Sequence, residues 1–456
     1  MKNPGSLSDG ESLLFTDLYE LNMAQSYFKN GMTGPATFSL VTRSSSANRS
    51  YFVASGLEDV INYLTNISPS TNTIDYLNST GLFTRDFLHY IKNFNFTGTV
   101  RAIPEGRIFF PDEPLIEINA PIMEAQLVET LVMNQIHHQT VVATKAARCV
   151  WASKGKAISD FSMRRTHGID AGMKSARASF MVGFESTSNV LAGKVYGIPI
   201  TGTMAHSYVS SFENEIDAFR TFSKSLPGHT VLLIDTYDVV AGAEKAVVIA
   251  KEMEATGYKL KAVRIDSGDL KDLSIKVRRI LNEGGLEYVQ ILASGGLDEF
   301  QIQELVEANS PIDGFGVGTR MGISADAPWL EMAYKLVKYD GRPVLKLSTG
   351  KVSLADEKQV LRSKDRNGNM LRDVIGIANE KPLDIKAEPL LETLVEKGTL
   401  KTDLPSLKSI RERFFEDFSS LGEEFKTLEN PSTYPVLISN RLRDLQRGLQ
   451  KNLAQT

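Results

Sequence analysis

Six short apolar runs in the middle of the chain each end in side chains suited to phosphate, ribose or proton chemistry. The endings are Asp160 with Arg164, Arg165 and His167; Thr201, Thr203 and His206; Asp235, Thr236 and Asp238; Arg264, Asp266, Ser267 and Asp269; Ser294, Gly295 and Gly296; and Gly316, Gly318 and Thr319. One such cluster is an ordinary turn. Six in register point to a shared site, because a βα barrel carries its chemistry at the C-terminal ends of its strands.

Each cluster has its own chemistry and a plainer competing reading. FSMRRTHG brings Arg164, Arg165 and His167 together, and the guanidinium fork suits a diphosphate; the competing reading is a solvated charge run. ASGG and GVGT let backbone amides approach an oxyanion closely. Their competing reading is a pair of tight βα turns. RIDSGD sets Asp266 and Asp269 within one turn, and paired carboxylates accept from a vicinal diol or hold Mg²⁺. Asp269 also stands where the next helix needs an N-cap, which leaves Asp266 as the functional choice. His206, among small and hydroxyl residues, stays open between structure and catalysis on spacing alone. His137 and His138 fall on an apolar helix and read as structural, and His89 and His229 carry no signal. No HExxH, CxxC, GxSxG or Walker sequence is present.

The elements that must position these groups follow from the pattern. From Asp160 through Thr201, Asp235, Asp266, Ser294 and Gly316, the steps shorten from roughly 40 residues to roughly 20, lengths that suit strand–helix units of a parallel array. Strands are predicted at 156–160, 198–200, 231–234, 262–265, 289–293 and 314–317. The helix before Gly257 has that glycine as its C-cap. Outside this core, 98–103 and 108–118 read as antiparallel strands, and 120–152 as one long helix. Strands around Asp340–Gly341 read as a return to the first domain, and 400–456 as two helices. The fold class expected is α/β: an irregular (β/α) barrel with a split N-terminal α/β domain and a C-terminal helical extension. The expected boundaries are 1–120, 121–330, 331–390 and 391–456.

Composition narrows the function classes. The 456 residues include 51 Lys or Arg and 55 Asp or Glu, a net charge of −4. That balance offers no electrostatic case for nucleic acid or an anionic membrane. Apolar residues make up 42% and charged residues 23%, an ordinary globular mixture. No apolar run approaches the roughly 20 residues that span a bilayer. The N-terminus has no apolar secretory region. The single Cys149 allows no intrachain disulfide and fits a reducing cytoplasm.

At these clusters the sequence closely resembles the nicotinate phosphoribosyltransferase family, of the type II phosphoribosyltransferases. The matching stretches are TDLYELNMAQSYF (16–28), DFSMRRTHGIDAGMKSARASFMVGFESTSNVLAG (160–193), YGIPITGTMAHSYVSSF (196–212), DTYD (235–238), VRIDSGDL (263–270), SGGL (294–297), GFGVGTRM (314–321) and DGRPVLKLSTGK (340–351). The ordered set TDLYE, RRTHG, GTMAHSY and RIDSGD is highly specific. TDLYE resembles the branch that takes the acid rather than nicotinamide.

The resemblance implies transfer of phosphoribosyl from phosphoribosyl diphosphate to nicotinate, giving nicotinate mononucleotide and diphosphate in NAD salvage. It implies ATP hydrolysis through a phosphohistidine, a ligase-type activity, with Mg²⁺, in a cytoplasmic homodimer. His206 matches the phosphohistidine, and Asp235 is the candidate to orient it. Tyr19, Thr203 and Arg264 match the nicotinate contacts. Ser294, Gly295, Gly316, Gly318 and Thr319 match the phosphate loops, and Asp266, Ser267 and Gly268 the ribose side. Arg164, Arg165 and His167 match the diphosphate contacts. The metal ligands stay unassigned. Two departures stand out: a serine-rich stretch after Arg43 where the family has proline and glycine, and Ala355–Asp356 where it often has Pro-Gly.

Overall fold

A computed structural model describes residues 10–43, 48–347, 353–381 and 386–453 of the chain. The chain divides into two compact units, Met1–Thr144 with Ala327–Thr456, and Lys145–Asp326.

The second unit is built on six parallel strands. Their spatial order is Ser186–Thr187, Ala157–Asp160, Gly314–Val317, Gln290–Ala293, Ala262–Ile265 and Val231–Leu233. The inner strands Ala262–Ile265 and Gly314–Val317 are largely apolar and buried, as expected where both faces are covered. Among the described residues no ladder joins the two edge strands, so the sheet is an open, incomplete barrel.

The helices between them start and stop where the sequence directs. Val239–Glu254 is capped by the Asp238 carboxylate on the Ala241 amide, and Gly257 follows it at φ +82°. Leu270–Glu283 is capped by Asp269, which takes the Lys271 and Asp272 amides. Glu299–Glu307 opens on a full capping box between Asp298 and Gln301.

One predicted strand is corrected. Residues 198–200 make only a single bridge, Ile200 to Thr187, and the strand in the sheet is Ser186–Thr187. Pro199 brings no amide proton to a ladder, so the segment cannot pair continuously. The polar, two-residue Ser186–Thr187 had no apolar signal to reveal it.

The first unit contains a seven-stranded sheet paired antiparallel throughout. Its order is Arg342–Pro343, Met332–Tyr339, Pro35–Thr42, Pro114–Pro121, Thr99–Ala102, Glu392–Glu396 and Thr399–Leu400. The turn between its first two strands has Asp340 at φ +46° and Gly341 at φ +74°, the two positive values a type I′ hairpin requires. A four-stranded sheet of Glu388–Pro389, Lys358–Lys364, Met370–Ile377 and Val436–Ile438 belongs to the same unit.

Two further expectations are corrected here. The helix expected over 120–152 is two helices, Ile122–Leu127 and Glu129–Ser153, parted at Val128, and the second restarts with an acid in its first turn. The segment after 390 holds the helices Leu407–Ser420 and Asn440–Leu453, but it also supplies strands to both sheets. It is interleaved with the unit because Val395, fully buried, completes the sheet core. Arg362, Asp373 and Asp417 form a buried ion-pair cluster, with Arg362 2.7 Å from Asp373 and 3.4 Å from Asp417, that ties the first of these helices in. Removing one partner would strand a buried charge.

No helix among the described residues is long and apolar enough to cross a membrane. Asp356, where the family often has glycine, sits at φ +65° and pairs with Lys338 at 3.0 Å. Residues 44–47 of the serine-rich departure and 348–351 of the DGRPVLKLSTGK stretch fall outside the described residues.

Candidate active site

In the second unit the strands Val231–Leu233, Ala262–Ile265 and Gln290–Ala293 deliver Asp235, Asp266 and Ser294 just past their C-terminal ends. Hydrogen bonds join the three. Asp235 Oδ2 accepts from the Asp266 amide at 2.9 Å and from the Ser267 hydroxyl at 2.6 Å. The Ser294 hydroxyl donates to Asp266 Oδ1 at 2.5 Å. Ser267 and Ser294 therefore hold carboxylates. The sequence had assigned both hydroxyls to the phosphoribosyl side.

His206 begins the short helix His206–Ser210. Its Nδ1 lies 3.2 Å from the Thr236 hydroxyl, and its Nε2 lies 3.9 Å from Asp266 Oδ2. Asp235 was the sequence candidate to orient this ring. The residue in hydrogen-bond contact is its neighbour Thr236. The two oxygens of Asp266 are thus divided between Ser294 and His206.

Arg264 points from its strand to the 203–206 loop, where it donates to the Met204 carbonyl at 3.1 Å. The Thr203 hydroxyl turns to the same carbonyl, also at 3.1 Å. Arg264 Nε is buried with no hydrogen-bond partner. Burial, reinforced by Arg164, holds its guanidinium below the ordinary value, while Asp266 and Asp235 pull it back up. A buried donor left without an acceptor invites an anionic ligand. Asp235 Oδ1 is likewise buried and unpartnered, so the site holds an open donor and an open acceptor.

The glycines have steric reasons. Gly295 adopts φ +95°, and a Cβ there would stand 1.8 Å from the Asp266 carbonyl oxygen. Gly268 adopts φ +83°. A Cβ on Gly316 would meet the Phe161 ring at 2.4 Å and Ser294 Cβ at 3.2 Å, so this glycine brings two strand ends together. A Cβ on Gly318 would lie 3.1 Å from the Phe161 carbonyl, and Thr319, exposed, follows it at the start of Thr319–Gly322.

Arg164 and Arg165 lie in the 3₁₀ turn Met163–Arg165, and they and His167 are exposed. Asp160, which leads this segment, is buried and bonded to the Ser162 amide at 2.9 Å and the Thr187 hydroxyl at 2.7 Å. It shapes the turn that carries the arginines.

Tyr19 lies in the first unit, on Leu18–Lys29. Its neighbours were not singled out in the sequence. Thr130 donates to Glu20 Oε1 at 2.5 Å and contacts Asp17 Oδ2 at 3.1 Å. Thr16 donates to Glu20 at 2.6 Å. Burial pushes the Glu20 carboxyl up to about 7. Burial first, then the Glu129 and Glu20 carboxylates, raise the Tyr19 phenol. His137 accepts from the Leu330 amide at 2.9 Å, a structural contact.

An open parallel βα sheet that gathers two carboxylates, an imidazole and a half-buried guanidinium at its strand ends has the arrangement of βα-barrel enzymes, which carry their chemistry there. Comparison with known proteins gives the family. Models of the nicotinate phosphoribosyltransferase N-terminal domain, family and C-terminal domain match residues 14–137, 156–374 and 383–446. Nicotinate phosphoribosyltransferase pncB2 of Mycobacterium tuberculosis is 44% identical over 431 residues, 94% of this chain and 92% of the relative. The Bacillus subtilis nicotinate phosphoribosyltransferase is 35% identical over 460 residues, 94% of each. The crystal structure of human nicotinic acid phosphoribosyltransferase superposes with a TM-score of 0.86 at 27% identity, covering 95% of this chain and 99% of that one. The chain belongs to the nicotinate phosphoribosyltransferase family.

Proposed function

We propose that this enzyme joins nicotinate to phosphoribosyl diphosphate, coupled to ATP hydrolysis. The observation that carries the proposal is Arg264: a half-buried guanidinium bonded to the 203–206 loop, with its buried Nε unpartnered, beside acids suited to a ribose. A pyridine carboxylate supplies the missing acceptor, and Arg binds it bidentately.

The nicotinate nitrogen attacks the anomeric carbon as diphosphate leaves, through an oxocarbenium-like state. The new C–N bond forms as the C–O bond to diphosphate breaks, so no protein nucleophile is needed at that carbon. The chain's contribution is alignment and electrostatics. Asp266, held by Ser294, and Asp235, held by Ser267, face the ribose. Arg164, Arg165 and His167, with the loops Ser294–Gly295 and Gly316–Thr319, receive the phosphates. Tyr19 stacks on the pyridine.

His206 has a separate task. A neutral ring nitrogen attacks the γ-phosphorus of ATP, ADP leaves, and water later cleaves the P–N bond to release phosphate. Thr236 and Asp266 bracket the ring.

Among the described residues, no three His, Cys, Asp or Glu side chains are arranged to hold a metal ion. The open Oδ1 of Asp235, next to Asp266, fits Mg²⁺ carried in on substrate phosphates, where it would neutralise the leaving charge. The same reading includes a cytoplasmic homodimer with shared sites, and a first domain completed by chain from beyond the barrel.

The test is a direct competition of nicotinate against nicotinamide as acceptor, read as mononucleotide formed. Preference for nicotinate by at least tenfold supports the reading. Equal use, or preference for the amide, contradicts it.

A further inference from the structure

A cavity of about 510 Å³ is lined only by residues of the first unit, none of them given a role above. Its volume is that of a small-molecule site. Its walls come from both sheets and from the helix Asn440–Leu453, whose Arg443, Gln446, Arg447 and Gln450 face it at helical spacing.

The lining has two parts. Val41, Val337, Leu354, Ile375, Val436 and Ile438 make an apolar wall. Arg43, Lys335, Lys358, Arg443 and Arg447 bring five cations, against the single carboxylate of Asp112. Three of these charges are already answered: Lys358 is buried and 3.1 Å from Glu117, Arg43 interacts with Asp112, and Lys335 interacts with Glu129. Arg443 is different. It donates to neutral acceptors, Asn440 Oδ1 at 3.1 Å and the Ile438 carbonyl at 3.0 Å, so they fix the guanidinium without cancelling its charge. Arg447 stands one turn further on, 3.9 Å from an exposed Asp444, a weak pairing.

An apolar wall beside one fixed guanidinium, with a second a turn away, suits an anion that carries a flat apolar body. An inorganic anion would leave the wall unfilled, and an uncharged ring would leave Arg443 and Arg447 without an anion. We propose that this cavity is a second ligand site, taking a phosphate monoester that bears a ring system of nucleotide size, with Arg443 and Arg447 on the phosphate and the Val436–Ile438 strand against the ring. The proposal does not rest on the phosphoribosyl-transfer reading, since none of the residues given a role there lines the cavity.

The test uses the full chain and adenosine 5′-monophosphate as probe, with equilibrium dialysis to count sites. Two variants address the cavity: Arg443→Glu reverses the charge, and Val436→Trp fills the space. Thermal melting and diphosphate release in each establish that the fold and the barrel are intact. The expected result is one class of site per chain whose Kd rises at least tenfold in Arg443→Glu and which vanishes in Val436→Trp, with turnover unchanged. Binding of the same stoichiometry and Kd in all three proteins would assign the probe to the barrel and overturn the proposal. So would an absence of binding to the unaltered chain.

Discussion

The Ser267 hydroxyl donates to Asp235 Oδ2 at 2.6 Å, so the carboxylate proposed to serve His206 is committed to the next strand end. Asp235 thereby fixes the RIDSGD loop and, through the Asp266 amide, the acid beside the imidazole. Ser267→Ala is expected to lower turnover in phosphoribosyl transfer by roughly tenfold, the size of one hydrogen bond to a charged group. Steady-state kinetics check it. Unchanged turnover would mean that this bond does not position Asp266.

Arg264 is the candidate carboxylate clamp. Arg264→Ala is expected to raise the KM for nicotinate by roughly tenfold to a hundredfold, with a smaller change for phosphoribosyl diphosphate, as expected for a lost charge-assisted pair. Arg264→Lys keeps the charge but loses the fork, and should fall between. Initial-rate measurements at varied nicotinate decide the matter.

Separate chemistry predicts a separable phenotype for His206. His206→Ala should abolish nicotinate-stimulated ATP hydrolysis while leaving slow, ATP-independent transfer. The check is ADP production measured alongside mononucleotide formation. Full ATP turnover in the variant would move the phosphohistidine elsewhere.

Glu20 gives a pH dependence in the fold itself. Its carboxyl is raised from 4.5 to about 7 by burial, so the folded chain holds this proton more tightly than the unfolded chain. The stability it contributes is present below about 4.5 and lost as pH rises through about 7. Glu20→Gln removes the titration. Melting curves from pH 4 to pH 8 should show a shallower fall in Tm for the variant than for the unaltered chain, and equal slopes would refute the assignment.

Most of the barrel was legible because its longer strands are largely apolar runs ended by a polar residue, as at Ile265–Asp266 and Ala293–Ser294. Where that signal failed, the cause was local. Pro199 spoiled a strand that the apolar flanks suggested, and Ser186–Thr187 had no apolar residues to announce it. The site residues were legible as types, but their partners were not. Thr236 meets His206 across 30 residues of sequence, and Thr130 meets Asp17 across 113. Such contacts depend on which strand ends and helices are neighbours, and no sequence spacing encodes that. The glycines illustrate the same limit. Gly295 and Gly316 were read as room for phosphate, while their immediate constraints are the Asp266 carbonyl and the Phe161 ring.

The central claim is that this chain transfers phosphoribosyl to nicotinate. The most direct measurement is diphosphate release from phosphoribosyl diphosphate, with and without nicotinate and with and without ATP. Nicotinate-dependent release, increased by ATP and matched mole for mole by nicotinate mononucleotide, is the predicted result. No diphosphate release with both substrates and ATP present would contradict the account.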